Sequence, residues 1–231
     1  MNNTCTAIIV AAGRGARFGG DVPKQFAKLG DKPVLFHSVA AFAANPRVGR
    51  IVVIVASEWA QFVRKQATLF GVDIDIVCGG ETRQQSVFSA LSALRDVDDD
   101  AIVLVHDGAR PLVTADTINA VLDAAKQHDA ATAAVAATDT IKRASNGFVE
   151  QTLRRGDLYM TQTPQGFRAD LLRQAHKRAL AEGFAADDDC HLVERLGITA
   201  AVVPSERANI KITHNSDLAY VEFLLEGGWL K

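Results

Sequence analysis

Ala7-Ile8-Ile9-Val10-Ala11-Ala12 runs directly into Gly13-Arg14-Gly15-Ala16-Arg17-Phe18-Gly19-Gly20, and then into Pro23-Lys24-Gln25. The first six residues form an apolar run of strand length. An uninterrupted run of this kind suits a strand buried on both faces, the environment of a parallel sheet. Glycines in the loop that follows let the backbone approach a ligand closely, and free N–H groups there bind phosphate oxygens. Arg17 and Lys24 add fixed positive charge to the same stretch. The segment reads as a strand ending in a polyphosphate-binding loop.

Working outward, the pattern repeats. Ile51-Val52-Val53-Ile54-Val55-Ala56, Ile74-Asp75-Ile76-Val77-Cys78 and Ala101-Ile102-Val103-Leu104-Val105 are further apolar runs, with weaker ones at 131–137 and 200–203. Helical patterns lie between them, at about 34–44, 58–70, 83–95, 115–128, 169–182 and 216–226, with Asn215 as a cap for the last. This alternation predicts an α/β fold, a mostly parallel sheet with helices on both faces. Ligands in such sheets bind beyond the carboxyl ends of the strands. That rule points to 11–24, 78–86 and 106–111.

One segment breaks the alternation. Residues 140–145 and 148–153 flank Asn146-Gly147, a strong hairpin signal. A lone hairpin is marginally stable. A β-arm at about 138–160 is therefore expected to project from a single domain spanning 1–231 and to pack on a second subunit, the alternative being an arm folded back on its own domain.

Composition sets outer limits. The 231 residues are 48% hydrophobic and 23% charged, as in an ordinary soluble domain. A net charge of −2 and a pI near 6.3 argue against a nucleic-acid partner. No apolar stretch approaches the ~20 residues of a membrane span, and the N-terminus has no signal-peptide pattern. The cysteines, Cys5, Cys78 and Cys190, form neither a zinc pattern nor a CxxC motif. Free thiols in a reducing cytoplasm are the expectation.

The opening loop fits neither of two familiar phosphate motifs. Gly15 and Gly20 have P-loop spacing, but Asp21 stands where lysine is required. Gly13 and Gly15 begin a dinucleotide fingerprint, but Phe18 fills its third glycine position. This weakens a nicotinamide dehydrogenase. Three more constellations stand out, two of them directly after strand-like runs. His106-Asp107-Gly108-Ala109-Arg110-Pro111 offers an Asp and an Arg, to orient a hydroxyl, hold a metal or merely pin a turn. Gly79-Gly80-Glu81-Thr82-Arg83-Gln84-Gln85-Ser86 offers backbone groups and a hydroxyl to a flat ligand such as a base. Asn209-Ile210-Lys211-Ile212-Thr213 places a lysine inside a strand-like run. Asp187-Asp188-Asp189 reads as a helix N-terminal acidic cluster in preference to a metal site.

Together these motifs resemble the 2-C-methyl-D-erythritol 4-phosphate cytidylyltransferase family. The resemblance rests on AAGRGARFGGDVPKQF at 11–26, GGETRQQSV at 79–87, HDGARP at 106–111, DTIKR at 139–143, TQTPQGF at 161–167 and NIKIT at 209–213. It implies a Rossmann-like fold and a homodimer through a swapped arm. It implies that Arg17, Lys24 and Lys211 contact the triphosphate of CTP as the catalytic cations. Ala11, Ala12, Gly13, Gly80, Glu81 and Ser86 would hold the cytidine. Asp107, Arg110 and Thr163, with Thr140 and Arg155 from the partner's arm, would hold the polyol phosphate. Mg²⁺ would be held mainly by the triphosphate, with no protein metal site. The chain carries Asp187-Asp188 where the family commonly has Thr-Asp, and with Lys231 as its last residue the downstream synthase domain fused in some relatives is expected to be absent. A ribitol-5-phosphate cytidylyltransferase shares the nucleotide motifs and is the alternative substrate reading. A non-catalytic nucleotide-binding regulator is the alternative of another class, disfavoured by the presence of all three cations.

Overall fold

The computed structural model describes residues 4–13, 18 and 22–227. β1 (Cys5–Val10) is followed by a small antiparallel hairpin, β2 (Lys28–Leu29) and β3 (Lys32–Pro33), that leads into α1 (Val34–Ala43). Next come β4 (Val48–Val55), α2 (Ala60–Phe70), β5 (Asp75–Cys78), α3 (Arg83–Ala93), β6 (Ile102–Asp107) and α4 (Ala115–His128). β7 (Ala130–Ala136) gives way to a hairpin of β8 (Lys142–Ser145) and β9 (Phe148–Thr152). The chain returns through β10 (Tyr159–Arg168), α5 (Ala169–Glu182), α6 (Asp189–Glu194), β11 (Ala201–Pro204) and α7 (Asn215–Glu226).

Seven strands form the central sheet in the order β11-β7-β10-β6-β1-β4-β5. Every ladder is parallel except the two that β10 makes with β6 and β7. The mostly parallel α/β sheet thus follows the sequence pattern, and β10 departs from it. Its sequence is polar and contains Pro164, which cannot donate to a ladder. The register with β7 shifts between Thr161 and Gln165, and this irregularity accommodates the proline.

Side chains alternate between the two faces of the sheet. Ile9, Val53 and Leu104 face a layer with Phe36 and Phe42 of α1, Val63 of α2 and Val121 and Leu122 of α4. Ile8, Val52 and Val105 face the opposite layer, with Val87 of α3, Leu172 of α5 and Leu192 of α6. Burying such a side chain fully stabilises the fold by roughly 1.5–3 kcal/mol. A third cluster joins Leu29, Val34, Leu112, Ile212, Val221 and Leu224, and it docks α7 beside the loop at 209–213.

Three local expectations are corrected. Residues 209–213 form an irregular loop and not a strand. The loop is pinned by Ile212, whose side chain is buried and whose N–H donates to the Ala109 carbonyl at 2.8 Å. Asn215 begins α7, and His214 is its N-cap. The Asp217 carboxylate accepts the N–H groups of Thr213 and His214 at 2.7 and 2.8 Å, so the capping acid lies inside the first turn. The pattern at 58–70 opens with a 3₁₀ turn, Ser57–Trp59, before α2.

In the arm, Asn146 and Gly147 have φ of 51° and 83°. Both are left-handed, as a tight hairpin turn requires and as Asn-Gly permits. The arm leaves the sheet at the carboxyl end of β7, the edge where the loops after β1, β5 and β6 also lie. Phe148 and Val149 are 78% and 63% exposed on it. Among the described residues no helix is long and apolar enough to cross a membrane. All three cysteines are free thiols, two buried and Cys78 exposed.

Candidate active site

The loops after β1, β4 and β5 enclose a cavity of about 630 Å³, lined by Ala12, Gly13, Ala56, Ser57, Glu58, Gly79, Gly80 and Glu81. Its walls are in close contact. A Cβ on Gly79 would lie 2.4 Å from Ala12 Cβ and 2.9 Å from Ser86 Oγ, so only glycine fits there. Ser86 is buried, and its hydroxyl is used within the loop. Its oxygen accepts the Gly80 N–H at 3.1 Å, and it donates to the Thr82 carbonyl at 2.8 Å. Thr82 and Gln85 cap α3 reciprocally, each side chain accepting the other's N–H at 3.1 Å. The loop therefore presents a fixed backbone surface, which suits a planar base.

The other wall is set by Gln25, a residue the motif contained but to which no role was given. Its Nε2 donates to the carbonyls of Ala11 and Gly13, each at 2.7 Å. Phe26 stacks on Trp59 with ring centroids 4.4 Å apart and meets Phe62 edge-on at 5.5 Å. The polar clamp and the aromatic stack anchor the 3₁₀ turn Lys24–Phe26, and with it Lys24. Arg17 lies outside the described residues.

Asp107, the last residue of β6, is the hub of the second half of the site. One carboxylate oxygen accepts from Arg83 Nε at 3.2 Å, and the other meets Lys211 Nζ at 2.7 Å. Arg110 Nε stands 3.9 Å away. Burial would push the Asp107 carboxyl up, but Arg83, Lys211 and Arg110 together hold it well below the usual carboxylate range. Removing one partner of such a buried pair typically costs about 3–5 kcal/mol, because a lone charge is left behind. Arg110 is fixed in turn by donating to the Asn209 carbonyl at 2.7 Å. Burial lowers its pKa, Asp107 opposes that fall, and Arg83 adds to it.

Thr163 closes the hub from β10. Its Oγ1 accepts the Asp107 N–H at 3.0 Å and lies 3.1 Å from His106 Nδ1. His106 Nε2 lies 3.2 Å from the Arg110 carbonyl. A carbonyl can only accept, so the ring proton is assigned to Nε2, and the Thr163 hydroxyl then donates to Nδ1. Burial pushes His106 down to about 4, so the ring is neutral at physiological pH.

Ala12, Gly13, Gly80 and Glu81 thus line one cavity, with Ser86 packed against Gly79 and the Ala11 carbonyl held by Gln25 behind that lining, and Asp107, Arg110, Thr163 and Lys211 form one cluster at the same sheet edge. Thr140 and Arg155 are exposed on the arm, and Arg155 Nη1 donates to the Thr138 carbonyl at 2.7 Å. The acidic triplet divides. Asp187 is exposed, Asp188 caps α6 through the His191 N–H at 2.8 Å, and Asp189 is buried against Arg83 and His176. Asp189 and Arg83 were not foreseen as a pair. Their separation of 106 positions leaves no local signal. Ala56, Ser57 and Glu58 were missed for a simpler reason, since nothing marks the loop after β4.

A family model described as IspD, 2-C-methyl-D-erythritol 4-phosphate cytidylyltransferase, matches residues 5–227. A protein of that name from Pelotomaculum thermopropionicum is 42% identical over 95% of this chain and 93% of its own. A bifunctional IspD/IspF enzyme from Rhodospirillum rubrum is 44% identical over 96% of this chain, which spans 57% of that longer relative. Among solved structures, the 4-diphosphocytidyl-2C-methyl-D-erythritol synthase of Anaerococcus prevotii superposes with a TM-score of 0.85 at 27% identity, over 98% of this chain and 100% of its own. With the glycine-walled cavity and the Asp107 cluster set at one sheet edge, these likenesses over almost the whole length establish that the chain belongs to the IspD, or 2-C-methyl-D-erythritol 4-phosphate cytidylyltransferase, family.

Proposed function

We propose that the protein joins CTP to 2-C-methyl-D-erythritol 4-phosphate, releasing pyrophosphate, as a single nucleotidyltransferase domain that works in the cytoplasm as a homodimer. The observation that carries this is the placement at one sheet edge of two parts: the glycine-walled cavity, whose Ala11–Gly13 wall is tied through Gln25 to the turn that carries Lys24, and the Asp107–Arg110–Lys211 cluster. One part suits a nucleoside triphosphate, and the other a second phosphate with hydroxyls.

The backbone of 11–13 and 80–81 would take the cytidine, with Ser86 shaping that loop. Arg17, Lys24 and Lys211 would meet the triphosphate. Asp107 and Arg110 would meet the polyol phosphate, with Thr163 fixing the end of β6. Thr140 and Arg155 would reach the same phosphate from the partner's arm. The attacking group is a phosphate monoester oxygen, already ionised at neutral pH. It forms a bond to the α-phosphorus as the bond from that phosphorus to the α–β bridging oxygen breaks, and the bridging oxygen keeps the electron pair and leaves with pyrophosphate. No proton moves, so no general base is needed. Catalysis reduces to positioning and to stabilising charge on the transferring group.

Among the described residues no group of three His, Cys, Asp or Glu is placed to hold a metal. Both Asp107 oxygens are already taken by Arg83 and Lys211. Mg²⁺ would then arrive with CTP, held mainly by the triphosphate, and would supply charge neutralisation there.

The test is pyrophosphate release with CTP and each of two acceptors. Turnover with methylerythritol phosphate, and little with ribitol 5-phosphate, is expected. Equal or faster turnover with ribitol 5-phosphate would overturn the acceptor assignment. UTP should be poor, because a site built for the cytosine amino group leaves polar groups unpaired against uracil, at about 1–3 kcal/mol each. CTP and UTP with kcat/KM within a factor of two would overturn the base assignment.

A further inference from the structure

We infer that Arg83 is a positioning residue that keeps the Asp107 carboxylate in place when Lys211 turns to a substrate phosphate; this rests on the reading of Asp107 and Lys211 given above. Arg83 is the first residue of α3, directly after the cavity loop. Its Nε donates to Asp107 at 3.2 Å and its Nη1 to Asp189 at 2.6 Å. Asp189 is itself immobilised. Its other oxygen meets His176 Nε2 at 2.9 Å, and its N–H donates to Gln165 Oε1 at 3.2 Å. Both His176 and Asp189 are 1% exposed.

A chain of groups therefore runs His176–Asp189–Arg83–Asp107–Lys211, from between α5 and α6 to the open site. Its two ends differ. Asp189 is fixed in the interior, whereas the Lys211 side chain is 39% exposed on a flexible stem. Lys211 has two tasks, to pair with Asp107 and to meet incoming phosphate. When it does the second, Asp107 loses the contact at 2.7 Å. Arg83 cannot follow substrate, because Asp189 holds its other end. It therefore maintains the orientation of Asp107 throughout, and the planar guanidinium bridges two carboxylates as a lysine ammonium could not.

Removing Arg83 alone strands Asp189 as a buried charge and endangers folding. The variant to use is Arg83→Gln with Asp189→Asn, which removes both charges together. kcat/KM for methylerythritol phosphate is measured at saturating CTP, and CTP Kd by calorimetry. The expected result is a loss of about tenfold or more in kcat/KM, with CTP Kd within about threefold of wild type. In an Asp107→Asn background the same pair of substitutions should lower kcat/KM less than about twofold, since the group that Arg83 orients is already altered. Arg83→Lys, which keeps the charge, should lie between. The inference is overturned by unchanged kcat/KM, by an equal loss in the Asp107→Asn background, or by loss of CTP binding in both Arg83→Lys and the double variant. The last result would mean that Arg83 holds the nucleotide loop instead. An inactive wild type sinks the reading of the site and this inference with it. An active wild type with unaltered variants sinks the inference alone.

Discussion

Lys24 and His106 show two ways in which one side chain is set by its surroundings. Lys24 is carried by a 3₁₀ turn whose next two residues, Gln25 and Phe26, are buried. Those two do the anchoring, so Lys24→Ala should leave the fold intact. It should lower kcat by about 10²-fold or more, the scale for losing one preorganised charge-stabilising donor. Near wild-type kcat in a folded Lys24→Ala protein would remove Lys24 from the chemistry. His106 is buried and neutral, with its pKa pushed down to about 4 from an unfolded value near 6.5. The folded state thus binds fewer protons than the unfolded state between those values. Stability should be full above about pH 6.5 and should fall as pH drops toward 4. His106→Gln cannot take up that proton, and urea melts across this range should show a flatter pH dependence. An unchanged slope would assign the acid sensitivity to other groups. The residues of the site were unequally legible. Asp107 stood out because its compact motif directly follows an apolar run, whereas Lys211, inside a short strand-like run, gained meaning only beside the other motifs. Their contact, and the buried Arg83–Asp189 pair, depend on long-range packing with no local periodicity.

At the scale of elements, legibility followed burial. Each parallel central strand is enclosed by helices and so is written as a continuous apolar run, which reads directly from sequence. β10 sits in the middle of the same sheet yet is polar, because it serves the site as well as the core. Gln165 donates to Asp188 at 2.8 Å and Thr163 braces Asp107, so the residues that would have marked a strand are replaced by buried hydrogen-bonding ones. The hairpin was legible for the opposite reason. Its turn needs two left-handed residues, and Asn146-Gly147 supplies them. Phe148 and Val149 are apolar and exposed on its second strand, β9. If the arm docks on a second subunit, they are where it gains contact area. Replacing both with serine should weaken dimerisation, measured by sedimentation at decreasing concentration, while shifting the melting temperature little at high concentration. An unchanged dimerisation constant would place the interface elsewhere.

At the scale of the whole molecule, the proposed homodimer would make the arm and the cavity parts of one surface drawn from two chains. Within one chain the Arg155 guanidinium bonds only its own arm's Thr138 carbonyl among the described residues, while Asp107, Arg110 and Lys211 wait at the sheet edge. A phosphate at that edge would draw Arg155 of a neighbouring subunit through charge-assisted hydrogen bonds, among the stronger contacts available to an anion. Arg155→Ala should therefore raise KM for the polyol phosphate far more than KM for CTP. The decisive experiment mixes Arg155→Ala subunits with Lys24→Ala subunits, each nearly inactive alone. In a mixed dimer, one site pairs an altered loop with an altered arm and stays silent. The other combines an intact Lys24 from one chain with an intact Arg155 from its partner. Random exchange makes half of the dimers mixed, each with one working site of two. Activity should then rise to about a quarter of wild type per subunit, the fraction that simple mass action over independent sites requires. No recovery, under conditions where subunit exchange is shown by a tagged chain, would mean that each chain completes its own site.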